Sequence, residues 1–318
     1  MVAKYLDHVS RVAVCSRSFS RNDELKKTIS KRYANVTFND DGLFLEGETL
    51  IGFLAGHDKA IVGLERINES ILDSLPKLKV ISKYGVGLDT IDLKALHSRN
   101  IGLGWKGGVN KRSVTELTIA FMIMLLRFLP QANSSVKLGG WKQIMGYSLK
   151  GKTIGIIGCG HVGKDLVKLL QPFKCKIIVH DKVNYEDFYK KFNMEAVDLD
   201  TLLQKSDIVT LHVPLDESTK GILDSKKLSL MKPGSCLVNT ARGELVDEIK
   251  LKQMLETNIL AGAAFDVFAK EPPDDMDLLE MPNFFATPHL GGSAKEAIYA
   301  MGISAIEGLE NYVVPQME

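Results

Sequence analysis

Apolar and polar positions run in two rhythms over residues 11–105. RVAVCS, NVTFND, KAIVG, KVISKYG and IGLGW are short β-branched runs that read as strands. Between them NDELKKTISKRY, ETLIGFLA, NESILDSL and DLKALHSR have apolar residues at helical spacing, the first capped by Asn22 or Asp23. Strands and helices taking turns in this way predict a parallel sheet with helices on its faces. Residues 113–129, SVTELTIAFMIMLLRFL, are the longest strongly apolar helical stretch, with Ser113 and Glu116 spaced as a capping box. A helix apolar on nearly all sides must be covered on nearly all sides, so its expected place is between two domains or two subunits.

The same alternation resumes at GKTIGIIGCGHVGKDLVKLLQPFKCKIIVHD, residues 151–181. Here the strand Lys152–Ile157 meets Gly158, Gly160 and Gly163 in a G-x-G-x-x-G, and Val162, Leu166, Leu169 and Leu170 follow at helical spacing. Gly158 permits the tight turn, Gly160 lets a pyrophosphate approach the backbone, and Gly163 lets the helix pack on the strand. The free N–H groups and dipole of the helix start favour a diphosphate. The next strand ends in Asp181, where a Rossmann unit places the carboxylate for the adenosine ribose hydroxyls. A carboxylate there repels a 2′-phosphate, so NAD is expected over NADP, a preference that the neighbouring Lys182 weakens slightly. Taken alone, a G-x-G-x-x-G is also found as a plain turn. The strand before it, the helix after it and the acid at the next strand end make it a dinucleotide site.

DLDTLLQKS then reads as a helix, DIVTLHVP, SCLVNTAR and LAGAAFDVF as strands, and VDEIKLKQMLETN as a helix. After TPHLGG a last helix carries Ala297, Ile298, Met301, Ala305, Ile306 and Leu309 on one face. It lies beyond the sheet that precedes it and is expected to cross back onto the first domain. No internal repeat or low-complexity linker separates the halves.

At 318 residues the chain has room for two ordinary domains, and 45% apolar with 25% charged residues is a globular composition. A formal net charge of +1 without blocks of like charge points to neither nucleic acid nor an anionic membrane. MVAKYLDHVS has no apolar core of signal-peptide length, and no stretch reaches the ~20 apolar residues of a membrane span, FMIMLL at 121–126 coming nearest before Arg127 closes it. Cys15, Cys159, Cys175 and Cys236 lack metal-ligand spacing and read as reduced structural thiols, so the expectation is a cytoplasmic protein that needs no metal.

Arg242 ends VNTAR, Glu271 follows AFDVFAK and His289 sits in ATPHLGG, at the ends of strands where ligands gather in open α/β sheets. An imidazole can pass a proton to a carbonyl oxygen as hydride reaches its carbon. A carboxylate on the other ring nitrogen fixes its tautomer, and a guanidinium orients the substrate. Singly, each has an ordinary reading as an ion pair, a solvated turn residue or a backbone-bonding loop residue.

GCGHVG, LHVPL, NTARGELVDE, GAAFDVFAKEPP and TPHLGG stand in the order and spacing of the D-isomer-specific 2-hydroxyacid dehydrogenases, and YGVGLDTID and NKRSVTELT are similar to the family's substrate-loop and interdomain-helix motifs. The resemblance covers nearly the whole chain. It implies two Rossmann- or flavodoxin-like parallel-sheet domains: a discontinuous substrate domain, 1–102 with 292–318, and an NAD-binding domain, 103–291, closing over the substrate. By it, Arg242 matches the substrate-binding arginine, Glu271 the acid paired with the histidine, and His289 the proton donor and acceptor. Asp266 matches the contact to the nicotinamide carboxamide. Gly158, Gly160, His161, Val162, Gly163, Asp181, His212, Pro214, Thr219, Thr240, Ala241, Arg242, His289 and Gly291 complete the NAD contacts it implies. Lys83, Tyr84 and the backbone of Val86 and Gly87 match the substrate loop. His161 stands where the family often has Arg, a departure that costs little because the turn offers backbone donors.

ISKYGVGLDTID is most like the 3-phosphoglycerate dehydrogenases, with Lys83 where that subgroup commonly has a basic residue able to meet a phosphate. Against this, Gly63 and Leu64 stand where many of them have an Arg-Ser pair, leaving His57 or Arg66 as substitutes. With the chain ending at Glu318, serine feedback through a regulatory domain is not expected. The resemblance implies a phosphoglycerate dehydrogenase first, a hydroxypyruvate or glyoxylate reductase second, and a homodimer in either case. A different class, an NAD-sensing binding protein like the C-terminal binding protein corepressors, shares the fold.

Overall fold

The computed structural model describes residues 6–316, so the first five residues of the MVAKYLDHVS start lie outside it. The elements follow in chain order. The first part holds strands β1 (Asp7–Val14), β2 (Tyr33–Phe38), β3 (Lys59–Val62), β4 (Val80–Lys83) and β5 (Gly102–Gly104). Its helices are α1 (Arg17–Ser20), α2 (Asp23–Ser30), α3 (Gly47–Leu54), α4 (Glu69–Asp73) and α5 (Leu93–Ser98). Two helices, α6 (Lys111–Leu126) and α7 (Leu129–Lys137), come before the second series of strands. That series is β6 (Thr153–Ile157), β7 (Lys176–His180), β8 (Glu195–Ala196), β9 (Ile208–Leu211), β10 (Cys236–Asn239), β11 (Gly262–Phe265) and β12 (Phe284–Ala286). Between these strands lie α8 (His161–Leu170), α9 (Glu186–Lys191), α10 (Leu199–Lys205), α11 (Ser225–Leu228), α12 (Glu248–Glu256) and α13 (Met276–Leu279); α14 (Lys295–Gly308) comes last.

Two compact units result. One takes the described residues up to Asn110 together with those from Lys295 onward, and the other takes Lys111–Ala294. The first contains a five-stranded parallel sheet in the order β2-β1-β3-β4-β5, the second a seven-stranded parallel sheet in the order β12-β11-β10-β9-β6-β7-β8. Strand side chains point alternately to the two faces, which divides each core in two. In the first unit Ala13, Val62 and Ile81 pack under α3, α4 and α5, whereas Val12, Val14 and Ile61 pack with α2 and α14.

The last helix does cross back. Ser82 Oγ donates to the Ala305 carbonyl at 2.6 Å, and α14 lies so close to β5 that a Cβ on Gly104 would overlap the backbone of Gly308. Met301, Ala305, Ile306 and Leu309 are buried there, and the fully covered Ile306 and Leu309 each contribute roughly 1.5–3 kcal/mol.

The long apolar helix departs from expectation at both ends. It begins at Lys111, so Ser113 and Glu116 lie inside it and form no capping box. Its first turn is held instead by Arg112, whose Nε and Nη2 reach the buried Asp165 carboxylate of α8 at 2.8 and 3.0 Å. It stops at Leu126, the carbonyl that a Pro130 inside the helix would strike. Phe128 takes a left-handed conformation, φ 52°, and α7 begins afresh with Pro130 in its first turn. Within its own unit α6 buries Val114, Thr118, Phe121, Met122, Leu125 and Leu126, while Leu117, Ile119, Ile123 and Met124 are half-buried. No single helix among the described residues is long and apolar enough to cross a membrane; α6 and α7 pass on length and composition only as a pair bent by 66°.

Candidate active site

In the second sheet the strand order reverses between β6 and β9, and ligand crevices of open α/β sheets form outside the carboxyl ends at such a switch point. Gly158 leaves β6 there with φ +98°, where a Cβ would lie 2.7 Å from the His212 carbonyl carbon at the end of β9. A Cβ on Gly163 would overlap the Gly158 carbonyl, so helix and strand meet at closest approach. At Gly160 the opposite holds: φ is −77° and nothing lies within 4 Å of a Cβ. That open space lies at the start of the ten-residue α8, beside His161 and Val162, with the helix's free N–H groups behind it. A diphosphate fits there.

Asp181 follows β7. Its Oδ2 accepts the Cys159 N–H at 2.5 Å and its Oδ1 the Val183 N–H at 2.8 Å, which ties it to the glycine turn and leaves lone pairs for a diol. Lys182 is directed elsewhere, 3.8 Å from Asp216 Oδ2. The other positions implied for the cofactor stand on the same carboxyl edge. His212 bonds Thr210 Oγ1 through Nε2 at 3.0 Å, and burial drives its pKa down to about 3, so it stays neutral. Thr219 closes its own loop, donating to the Pro214 carbonyl at 2.6 Å. Thr240 shares a 3.0 Å hydrogen bond with Thr118 of α6, and Ala241 follows it after β10. Cys159 is buried beneath the turn, and burial lifts its thiol to about 11, away from redox use.

Arg242, Glu271 and His289 follow β10, β11 and β12, three neighbours in the sheet. His289 Nδ1 lies 2.9 Å from Glu271 Oε2. Since a carboxylate only accepts, Nδ1 carries the proton, and Nε2 has no partner among the described residues. The hydrogen bond that His289 gives to Glu271 raises the His289 pKa above its ordinary value; burial and Arg242 oppose this, and the Glu271 and Asp266 charges add to it. Burial pushes Glu271 up, but His289, the Phe268 N–H at 3.1 Å and the Arg242 charge outweigh it, and the net shift is downward. Arg242 is therefore within electrostatic reach of both partners. One of its donors is given to the Ala241 carbonyl, Nη1 to O 2.7 Å.

Asp266 is the group that sequence reasoning read too narrowly. It is buried, and its carboxylate accepts Thr287 Oγ1 at 2.5 Å, the Leu290 N–H at 2.6 Å and the Gly291 N–H at 2.7 Å, while its carbonyl accepts the His289 N–H at 2.9 Å. His289 itself has φ +55°, a costly conformation for a residue with a Cβ. Asp266 holds that loop. Its signals in the sequence were an acid at the end of the GAAF strand and the match of GAAFDVFAKEPP to the family motif.

In the first unit the candidates divide. Tyr84 is buried, and no acceptor among the described residues takes the Val86 and Gly87 N–H groups; the Val86 carbonyl accepts Trp105 Nε1 at 3.0 Å. Lys83 is 5% exposed and its Nζ is turned inward, donating to the Gly63 carbonyl at 2.5 Å and Thr90 Oγ1 at 3.0 Å. His57 sits before β3, at the amino end of the sheet, bonded to Thr37 Oγ1 and the Leu54 carbonyl, with its pKa lowered by burial. It is at the wrong edge to replace a phosphate-binding residue beyond β3. Arg66 is exposed on the loop after β3. No group of three or more His, Cys, Asp or Glu among the described residues is placed to hold a metal ion.

A doubly wound sheet with this turn and acid defines an NAD-binding α/β protein. Residues 119–291 match the sequence model of the D-isomer specific 2-hydroxyacid dehydrogenase NAD binding domain. A glyoxylate reductase of Thermococcus litoralis is 36% identical over 242 residues, 73% of each chain. A hydroxypyruvate reductase of Thermotoga maritima is 36% identical over 83% of this chain and 87% of its own. A D-3-phosphoglycerate dehydrogenase of Archaeoglobus fulgidus is 36% identical over 77% of this chain, which spans 47% of that relative's length. Among solved structures, D-lactate dehydrogenase from Aquifex aeolicus, complexed with NAD and lactic acid, superposes with a TM-score of 0.82 at 25% identity, over 96% of this chain and 99% of its own. The chain belongs to the D-isomer specific 2-hydroxyacid dehydrogenase family.

Proposed function

We propose that this chain is an NAD-dependent dehydrogenase that interconverts a 2-oxo acid and its D-2-hydroxy acid, with His289 as acid and base. The single observation that carries this is the 2.9 Å contact of His289 Nδ1 with Glu271, which leaves Nε2 to face a substrate. When bound, NADH supplies the hydride. His289 Nε2 gives its proton to the carbonyl oxygen during reduction and takes it back during oxidation; Glu271 stabilises the imidazolium that reduction requires. Arg242 orients the substrate by its carboxylate and carbonyl. Val86 and Gly87 N–H groups are assigned to the substrate carboxylate, Asp266 to the nicotinamide carboxamide, and Asp181 to the adenosine ribose. The first unit takes the role of substrate domain and the second that of cofactor domain. A homodimer is part of the proposal.

The substrate read first is 3-phosphoglycerate with its oxidised form, phosphohydroxypyruvate, in keeping with the phosphoglycerate dehydrogenases among the relatives. Hydroxypyruvate or glyoxylate is the second reading, favoured by the inward turn of Lys83 and by the relatives named as those reductases. NADH oxidation is followed with phosphohydroxypyruvate, hydroxypyruvate, glyoxylate and pyruvate, alongside His289→Gln. The variant is expected to bind NADH while losing about 10²–10⁴-fold in kcat, the range of a general acid or base. Near-normal turnover by the variant would remove His289 from the mechanism, and silence of the native chain on every acid would remove the dehydrogenase reading.

A further inference from the structure

One cation on the carboxyl edge of the first sheet has no use in the reading above. The strand order of that sheet reverses between β1 and β3, so its own crevice opens beyond the ends of these two strands. β1 runs into Ser16, Arg17 and Ser18, and β3 into Gly63 and Leu64. These loops touch: a Cβ on Gly63 would lie 3.2 Å from Ser16 Cβ. Ser18 Oγ is 3.5 Å from the Tyr84 hydroxyl, to which it donates, and Tyr84 leads into the Val86 and Gly87 turn. Arg17 thus stands on the same rim as the N–H groups assigned to the substrate carboxylate.

Its guanidinium lies over the Phe44 ring, 3.8 Å from the centroid. Neither a carboxylate nor any other acceptor among the described residues takes its N–H donors. Glu65, the acid of the β3 loop, turns back onto the Gly63 N–H at 2.5 Å. Stacking on an aromatic face fixes a guanidinium in one plane and leaves its edges to present paired donors to an oxyanion. The neighbouring cation cannot serve in the same way, because Lys83 Nζ holds the Gly63 carbonyl. On the β3 loop Leu64, next to Gly63, is 80% exposed and uncharged, and the cation of that loop, Arg66, stands two positions further on.

Resting on the dehydrogenase reading, we propose that Arg17, seated on Phe44, receives a second anionic group of the substrate, a phosphate monoester or a distal carboxylate remote from the reacting 2-oxo acid. The test is kcat/KM for NADH-dependent reduction on two pairs, phosphohydroxypyruvate against hydroxypyruvate and oxaloacetate against pyruvate. It is run on the full chain and on Arg17→Met, Arg17→Lys and Phe44→Leu, with NADH titrated by fluorescence to check the cofactor site. The native chain is expected to prefer the doubly anionic member of one pair. Arg17→Met is expected to cut that preference about tenfold or more, chiefly through KM, the scale of a charge-assisted hydrogen bond. Arg17→Lys keeps part of the preference, and Phe44→Leu loses less than Arg17→Met. The pair that responds tells phosphate from carboxylate. A native chain indifferent to the second anion, or an Arg17→Met loss equal on both members of each pair, would overturn the assignment while leaving the dehydrogenase intact. Absence of NADH oxidation with all four acids would instead bring down the dehydrogenase reading and this one with it.

Discussion

The imidazole of His289 and the carboxylate of Glu271 meet at 2.9 Å from loops that follow neighbouring strands, and each shifts the other's titration toward the charged pair. His289 has a native pKa above its ordinary 6.5, so its contribution to stability is complete below that value and is lost as pH rises through the native pKa. Glu271 has a native pKa below its ordinary 4.5, so its contribution is complete above that value and is lost as pH falls through the native pKa. Both contributions are complete together only between those ordinary values. Reduction needs the protonated imidazole, so its rate should fall as pH rises through the raised pKa. In Glu271→Gln that alkaline limb should move to lower pH, and the pH profile of kcat/KM reads it directly. An unmoved limb would mean that Glu271 does not set the His289 charge.

The glycine turn offers two substitutions with opposite outcomes. Gly158→Ala puts a side chain at φ +98° and against the His212 backbone, so it should lose roughly 1–3 kcal/mol or more of stability. Gly160→Ala meets no protein atom within 4 Å and should leave Tm unchanged. It should still weaken NADH binding by about tenfold or more, equivalent to about 1.4 kcal/mol. Thermal melts and fluorescence titration separate the two effects. Unweakened binding in Gly160→Ala would place the pyrophosphate elsewhere.

Asp266→Asn replaces an all-acceptor group whose three partners are all donors. Whichever way the amide turns, its NH₂ faces a donor, at Gly291 or at Thr287 and Leu290, which should cost about 1–3 kcal/mol at this buried position. With the His289 loop loosened, kcat should drop more than the affinity for NADH. Denaturant melts with single-turnover kinetics check this, and an unchanged melt would contradict the clamp.

Lys83→Met removes a buried donor and orphans the Gly63 carbonyl, which should destabilise the first unit by about 1–3 kcal/mol. Because the ammonium faces inward, kcat/KM for phosphohydroxypyruvate and hydroxypyruvate should fall together, their ratio staying within about threefold, less than a lost charge-assisted contact would give. A selective loss on the phosphorylated acid would restore Lys83 as a phosphate ligand.

What the chain disclosed in advance was what acts locally. Strand, turn and helix around Gly158 follow from spacing alone, and the strand-helix alternation led to two parallel sheets. The start of α6 was hidden because a partner 53 positions away, Asp165, holds Arg112 in its first turn. α7, with its mixed run LPQANSSVK and no buried residue, carries too little periodicity to announce a helix. Lys83 reads as a ligand from its match to a position that commonly holds a basic residue; that match says nothing of the Gly63 carbonyl, which the neighbouring strand β3 brings to its ammonium. His57 stands before KAIVG, and so at the amino end of a parallel sheet, which the order of the elements already implies.

The seating of α14 on β4 and β5 also bears on synthesis. Val12, Val14 and Ile61 are translated before the second sheet, yet the helix that seals them, through Ile306 and Leu309, follows that whole sheet in the chain. The second sheet is contained in one continuous stretch and can close while the ribosome is still working. A nascent chain stopped before Lys295 should therefore resist protease over 111–294 and be cut in the first hundred residues. The part of the molecule made first is the part finished last, and the face of its sheet left uncovered meanwhile is where a chaperone would have to hold it.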